Sequence, residues 1–288
     1  MLGQPAHDAM SEHGDPAINR ILVALDASTH SVAALRAAAE LASSLQAELH
    51  GLFVEDANLL RAAELPMARE LRFPFASLAR MNPATMRHQL QAQAHQARRA
   101  LSSLCQQQHL KWTFQVVQGK VSSAVLEAAG RADLLCVGRA SRPVLGKPRL
   151  GSTARAAAMA SDRSVLLVSH GMRLQAPVTL PFDGSPEADR ALPLACRLTR
   201  IVGGSLSAIL LIARSRPSHE LQDSITERLE CQNLTIRYRE VTNLDVAALI
   251  EIIQTEECGL LVLSRALIRG NAINQLLDQL RCPTILVR

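Results

Sequence analysis

The sequence predicts an α/β protein made of two doubly wound parallel-sheet domains, one after the other. Short apolar runs alternate with longer helical patterns, which is the mark of strand–helix–strand units and a parallel sheet. The run Ile21-Leu22-Val23-Ala24-Leu25-Asp26 returns in shape as Val178-Thr179-Leu180-Pro181-Phe182-Asp183, 157 residues later. A repeat of domain size outranks any local motif as evidence of architecture. The chain has 288 residues, 48% of them apolar, which is enough for two separate cores.

The same offset holds beyond the first strand. Asp26-Ala27-Ser28 meets Asp183-Gly184-Ser185, Ala34 and Leu35 meet Ala191 and Leu192, and the run 49–54 meets 206–211. Strands in the first copy are expected near 20–25, 48–55, 112–118, 133–138 and 164–168. An alanine-rich helix is expected over 31–46, a long one over 83–108 and a short one over 121–130. In the long helix Leu90, Ala94, Ala97, Leu101 and Leu104 keep helical spacing, Asn82 is placed to cap it, and Pro83 suits its first turn. The second copy predicts strands near 178–183, 205–213, 234–240, 259–264 and 284–287, with Ser185 capping the first helix and Pro186 opening it. The fourth strands pair at an offset of 126 and the last at 119, so the second copy is shorter by 31 and then 7 residues. The reading gives a loose polar tail at 1–18, one domain at 19–170 and a shortened one at 176–288, joined through 169–177.

Composition narrows the function classes. Only Lys111, Lys120 and Lys147 among the 31 basic residues are lysines, and the net charge is a modest +5. One Trp, one Tyr and five Phe leave few platforms on which nucleic-acid bases could stack, so nucleic acid is not an expected partner. No apolar run approaches a bilayer span and the start lacks an apolar signal core, which points to a cytoplasmic protein with no membrane partner. The six cysteines form no close Cys-x-x-Cys pair and read as reduced thiols.

The chemistry is expected after the fourth strand of the first copy. There the chain reads Gly138-Arg-Ala-Ser141-Arg142-Pro143, continues through Gly146-Lys147-Pro-Arg149 and closes on Gly151-Ser152-Thr153. No acidic residue lies between 134 and 161. A loop that ends in small residues at a helix start offers free backbone N–H groups, hydroxyls and a positive dipole end, the makings of an anion cradle. The alternative is a solvated basic loop whose Ser152 caps its own helix. The second copy has only two residues between the positions matching Ser141 and Gly151, too short a segment to wrap a triphosphate.

The pairing of Ile21–Ser28 with Gly138–Ser152 resembles the universal stress protein family, and the two copies resemble its tandem-domain form. The resemblance covers nearly the whole chain apart from the tail and the segment 57–85, and it implies an adenine nucleotide alpha hydrolase-like fold. Some members bind ATP through a Gly-x2-Gly-x9-Gly-Ser/Thr loop. Carried onto this chain, the first glycine falls on Gly138 and the closing pair on Gly151-Ser152, while the second falls on Ser141, a departure. Serine takes a positive φ less readily than glycine. The resemblance implies that Gly138, Ser141 and Arg142 face ribose and α-phosphate, that Gly151, Ser152 and Thr153 hold the outer phosphates, and that Asp26 and Val54 lie near the adenosine. It implies ATP as ligand, with Mg²⁺ arriving on the phosphates.

Asp26 has a second reading. Asp183 keeps its place where the loop is gone, so an acid there can simply bond the following turn. Residues 57–85 are read either as a lid over the site or as a surface for a protein partner. The resemblance implies that the copies associate through the last strands, 165–168 and 284–287, which covers sheet edges. No nucleophile elbow, Walker lysine motif or paired carboxylate stands by the loop, so at most slow ATP hydrolysis is expected. The function expected is therefore that of a nucleotide sensor. A ligand-free interaction protein and a binder of a smaller anionic metabolite are the alternatives.

Overall fold

Arg20–Leu25 form the first strand, β1, whose Ile21 and Val23 are fully buried because a parallel sheet is covered on both faces. The computed structural model describes residues 18–72, 77–139, 150–212, 217–229, 234–242, 246–268, 270 and 272–288. The chain divides into two units, Arg20–Arg173 and one containing Leu174–Arg288. The tail reading for 1–18 falls, but for Ile18, outside the described residues.

In the N-terminal unit β1 leads into α1 (Thr29–Leu45), then β2 (Glu48–Asp56), α2 (Ala57–Glu64) and the strands β3 (Arg69–Arg72) and β4 (Ser77–Arg80). Next come α3 (Pro83–Gln107), β5 (Trp112–Gly119), α4 (Val121–Ala129), β6 (Leu134–Gly138), α5 (Ser152–Ala160) and β7 (Ser164–Val168). Apart from the antiparallel pair β3–β4, the strands form a parallel sheet in the order β5-β2-β1-β6-β7. The expected strands of this copy therefore stand where the apolar runs put them. The interior strand β6 is buried from Leu134 to Val137, whereas the edge strand β5 alternates between half-buried and exposed positions.

The helices follow from local chemistry. Ser28 caps α1 by accepting the Ser31 N–H, and buried Ala34, Ala37, Ala38 and Ala42 let its backbone approach the sheet. The Asn82 side chain accepts the N–H groups of Ala84 and Thr85, and Pro83 occupies the first turn of α3. From α3, Leu90, Ala94, Ala97, Leu101 and Cys105 are buried. A Cβ on Gly51 of β2 would lie 2.5 Å from the Leu101 Cδ2, so glycine there makes room for the helix.

The second unit repeats the plan with β8 (Val178–Phe182), α6 (Pro186–Val202), β9 (Ser205–Ile212), α7 (Ser218–Leu229), β10 (Thr235–Thr242), α8 (Val246–Thr255), β11 (Leu260–Ser264), α9 (Ala272–Gln279) and β12 (Thr284–Val287). Its strand order, β10-β9-β8-β11-β12, reproduces that of the first unit. Ser185 caps α6 through the Ala188 N–H, as its place before Pro186 predicts. The insertion expected at 57–85 resolves into α2 and the β3–β4 pair, while its Phe73-Pro74-Phe75 lies outside the described residues. No helix among the described residues is long and apolar enough to cross a membrane. The five cysteines described form no disulfide, and burial pushes the Cys105 thiol up to about 11.

Candidate functional site

In an open parallel sheet the chain runs outward from the first strand in one direction and then in the other. The C-terminal strand ends therefore part at the switch, leaving a crevice. Here the switch lies between β1 and β6, which pair directly from Ile21 to Val23. Asp26 follows the end of β1 and Gly138 closes β6. A cavity of about 750 Å³ opens at this place. Its lining reaches from Ser152 and Thr153 past Gly138 and Asp26 to Val54, and on to Lys120 beyond β5. From β6 to β5 are three strand spacings, roughly 14 Å across the sheet.

The turn after β1 is built by backbone bonding. The Asp26 carboxylate accepts the Ser28 N–H at 3.0 Å, and Ala27 between them takes a left-handed φ of 59°. The second unit repeats this, with Asp183 accepting both the N–H and the hydroxyl of Ser185 across Gly184 at φ 71°. Asp26 thus has the structural part that comparison with Asp183 suggests, and it also lines the cavity. A Cβ in the left-handed region is strained, and the second unit has glycine there. Ala27→Gly is expected to stabilise the N-terminal unit by about 0.5–1 kcal/mol, seen as a higher urea midpoint of the full chain at unchanged slope. Lower stability would mean that the turn is not strained.

Gly138 is required by packing. A Cβ on it would lie 2.7 Å from the His30 carbonyl carbon and 2.9 Å from the Ser31 nitrogen, so the end of β6 is pressed against the first turn of α1. At the start of α5, Gly151 is the capping residue and its side of the helix has no side-chain cap. Ser152 is therefore the first residue of the helix and does not cap it. The Gly151 N–H donates to the Arg139 carbonyl at 2.6 Å. That leaves the N–H groups of Ser152 and Thr153, which by position in the first turn have no intrahelical acceptor. Both residues line the cavity, Ser152 exposed and Thr153 half-buried. Ser141 and Arg142, together with Gly146, Lys147 and Arg149, lie outside the described residues.

The floor is apolar, with Leu52, Phe53, Val54 and Val137 all buried. Val54 belongs to β2 and lines the cavity. Of the far wall, only the part from 57–85 was open to the sequence, through its lid reading. Asn58 and Leu59 of α2, with Leu90, Gln93 and Gln96 of α3, line the same space, as do Lys120 and Ser122 at the start of α4. The insertion after β2 thus contributes α2 to the wall. Lys120 is itself the capping residue of α4 and makes no side-chain cap bond. Lysine is a poor N-cap and a cation is unfavourable at that helix end; for Lys120 this local misfit was the one available signal.

His30 also lines the cavity. Its Nδ1 accepts the backbone N–H of His170 at 3.0 Å, and the two rings meet edge to face with centroids 6.5 Å apart. Burial, aided by His170 and Arg139 and opposed by Asp26, holds the imidazole below its ordinary pKa. Among the described residues no cluster of three or more metal-ligating side chains occurs. An apolar floor, helix-start amides and hydroxyls, and the carboxylates of Asp26 and Asp56 suit a ligand with one apolar part and one anionic part.

Comparison with solved structures places the fold among known ones. A universal stress protein from Archaeoglobus fulgidus DSM 4304 superposes with a TM-score of 0.72 at 16% identity, over 94% of this chain and 98% of its own. A functionally unknown protein from Pseudomonas aeruginosa PAO1 gives 0.59 at 13% identity, over 94% and 92%. A universal stress protein solved in complex with cAMP matches 54% of this chain and 99% of its own, at 21% identity and a TM-score of 0.36. No curated protein sequence matches. The model of the universal stress protein family matches residues 17–169, just over half of the chain and all of the unit that holds the cavity save its last residues. This chain belongs to the universal stress protein family.

Proposed function

We propose that the N-terminal unit binds an adenine nucleotide, foremost ATP, and that the protein acts as a cytoplasmic stress-associated sensor rather than as a fast enzyme. The observation that carries this reading is the joining of an apolar floor and an uncapped helix start within one cavity at the sheet's switch point. The Ser152 and Thr153 N–H groups and hydroxyls take the outer phosphates. Gly138 lets the ribose lie close to β6, and Val54 offers an apolar surface to the base. Asp26 lies beside the adenosine while holding its own turn. By the family resemblance, Ser141 and Arg142 face the ribose and α-phosphate. Mg²⁺, when bound with the nucleotide, neutralises charge on the phosphates.

Among the described lining residues, the carboxylates Asp26 and Asp56 are each bonded to a following backbone N–H. Both help to hold the turns that follow them, and slow hydrolysis at most belongs to this reading. The second unit, whose loop between β11 and α9 is short, serves the fold or a protein partner. Partner or self-association through the last strands or the 57–85 insertion belongs to the same reading.

Calorimetric titration of the full chain with ATP and Mg²⁺, AMP and inorganic phosphate tests this. ATP is expected to bind with micromolar affinity, about −8 kcal/mol, and inorganic phosphate far more weakly. Heat from phosphate alone would favour a small anionic metabolite. Silence with every ligand at millimolar concentration would leave a ligand-free interaction protein.

A further inference from the structure

His30 stands in the first turn of α1 and lines the cavity. Because Gly138 has no side chain, the first turn of α1 is pressed onto the end of β6, which fixes the His30 backbone at the switch point. Its ring is fixed as well, by the His170 N–H on Nδ1. With Nδ1 used as an acceptor, the neutral ring carries its hydrogen on Nε2. His30 therefore brings one oriented donor to the cavity it lines.

The charges around the ring come from three other elements: Asp26 after β1, Arg139 after β6 and His170 after β7. The first turn of α1 itself has no acidic residue, and a helix start disfavours a cation. Without ligand, burial together with His170 and Arg139 outweighs Asp26 and holds the imidazole below its ordinary value. An anion in the cavity reverses that balance, because it adds negative charge in a partly desolvated space and offsets the field of Arg139.

Resting on the nucleotide reading above, we propose that His30 contacts the bound nucleotide and takes up a proton when it binds, so that binding tightens as the pH falls. The proton enters at Nδ1, and the His170 N–H gives up its acceptor. The sign follows from linkage. The nucleotide-bound state holds the proton more firmly than the free state, so the added affinity is complete below the free imidazole's lowered value. It is lost as the pH rises through the bound imidazole's value. Each unit of separation between the two gives about tenfold in affinity.

The test is calorimetric titration of the full chain with ATP and Mg²⁺ at about pH 5.5, 6.5 and 7.5, in two buffers of different ionisation enthalpy. Wild type is expected to gain about tenfold in affinity from the highest to the lowest pH, beyond the slope of His30→Gln, and to take up protons that the variant does not. The nucleotide's own terminal phosphate titrates in both proteins and cancels in the comparison. A variant that keeps the full wild-type slope and proton uptake overturns the proposal while leaving nucleotide binding intact. A wild type that binds no ATP at any pH overturns both. His30→Asn gives a second variant. Histidine NMR of the wild type reads the same quantity: one imidazole must titrate below the ordinary range without ATP and move upward with it. No such movement overturns the proposal.

Discussion

Replacing Ser152 with aspartate is expected to remove nucleotide binding from the N-terminal unit while leaving its melting temperature unchanged or slightly raised. Ser152 is the first residue of α5, exposed and without a capping role. A carboxylate there complements the positive end of the helix, worth about 0.3–1 kcal/mol. Against a phosphate at the same helix start it acts oppositely, since two like charges about 4 Å apart repel by roughly 4 kcal/mol at the effective dielectric of a protein surface. The affinity for ATP should fall at least about 100-fold, near 2.7 kcal/mol. Few substitutions separate binding from stability so cleanly, because the same charge helps one and opposes the other. Calorimetry with ATP and a thermal melt read the two sides. Binding as tight as wild type would show that the phosphates lie elsewhere.

Gly259→Ala should produce the largest loss of stability, about 3 kcal/mol or more. Gly259 stands just before β11, and its N–H donates to the Pro177 carbonyl at 3.0 Å. A Cβ there would run into the Gln175 carbonyl oxygen and lie 2.6 Å from that of Ala176. Those are backbone atoms and cannot rotate aside. The segment before β8 would have to move, pulling on the β8–β11 pairing that sets Val178 beside Leu260. Gly51→Ala makes the comparison, since its obstruction is the tip of the Leu101 side chain, which can change rotamer. Urea unfolding should place the second variant within about 1–2 kcal/mol of wild type and the first well below it. Equal midpoints would show that 175–177 yields easily.

Much of the scaffold was legible because its signals are local. All-apolar runs such as Leu134–Val137 and Leu260–Leu263 mark interior strands, and Asn82-Pro83 and Ser185-Pro186 mark helix starts with both cap and proline in place. The helix α2 was not, because Asp56 both ends β2 and caps the helix that follows, accepting the Asn58 N–H, so no gap separates the elements. The pair β3–β4 is only four residues a strand, and that length carries little periodicity. At the site, comparing Asp26 with Asp183 revealed the bonded turn before any coordinates did. The tight contact of Gly138 with His30 joins residues more than a hundred positions apart and left no trace in the sequence. Gln93 and Gln96 likewise look like ordinary polar positions of an amphipathic helix until the fold turns them toward the cavity.

The second unit shows what the sheet requires and what it does not. Between β9 and α7 only residues 213–217 intervene, where the first unit has all of α2 and the β3–β4 pair, yet the strand order is the same. The part of the cavity wall that α2 supplies is thus an appendage on a frame that forms without it. Erosion of that part need cost the frame little, so selection for solubility or abundance alone would not notice its loss. A duplicated protein of this build can keep that wall in one half and lack it in the other, because the strand order does not depend on it.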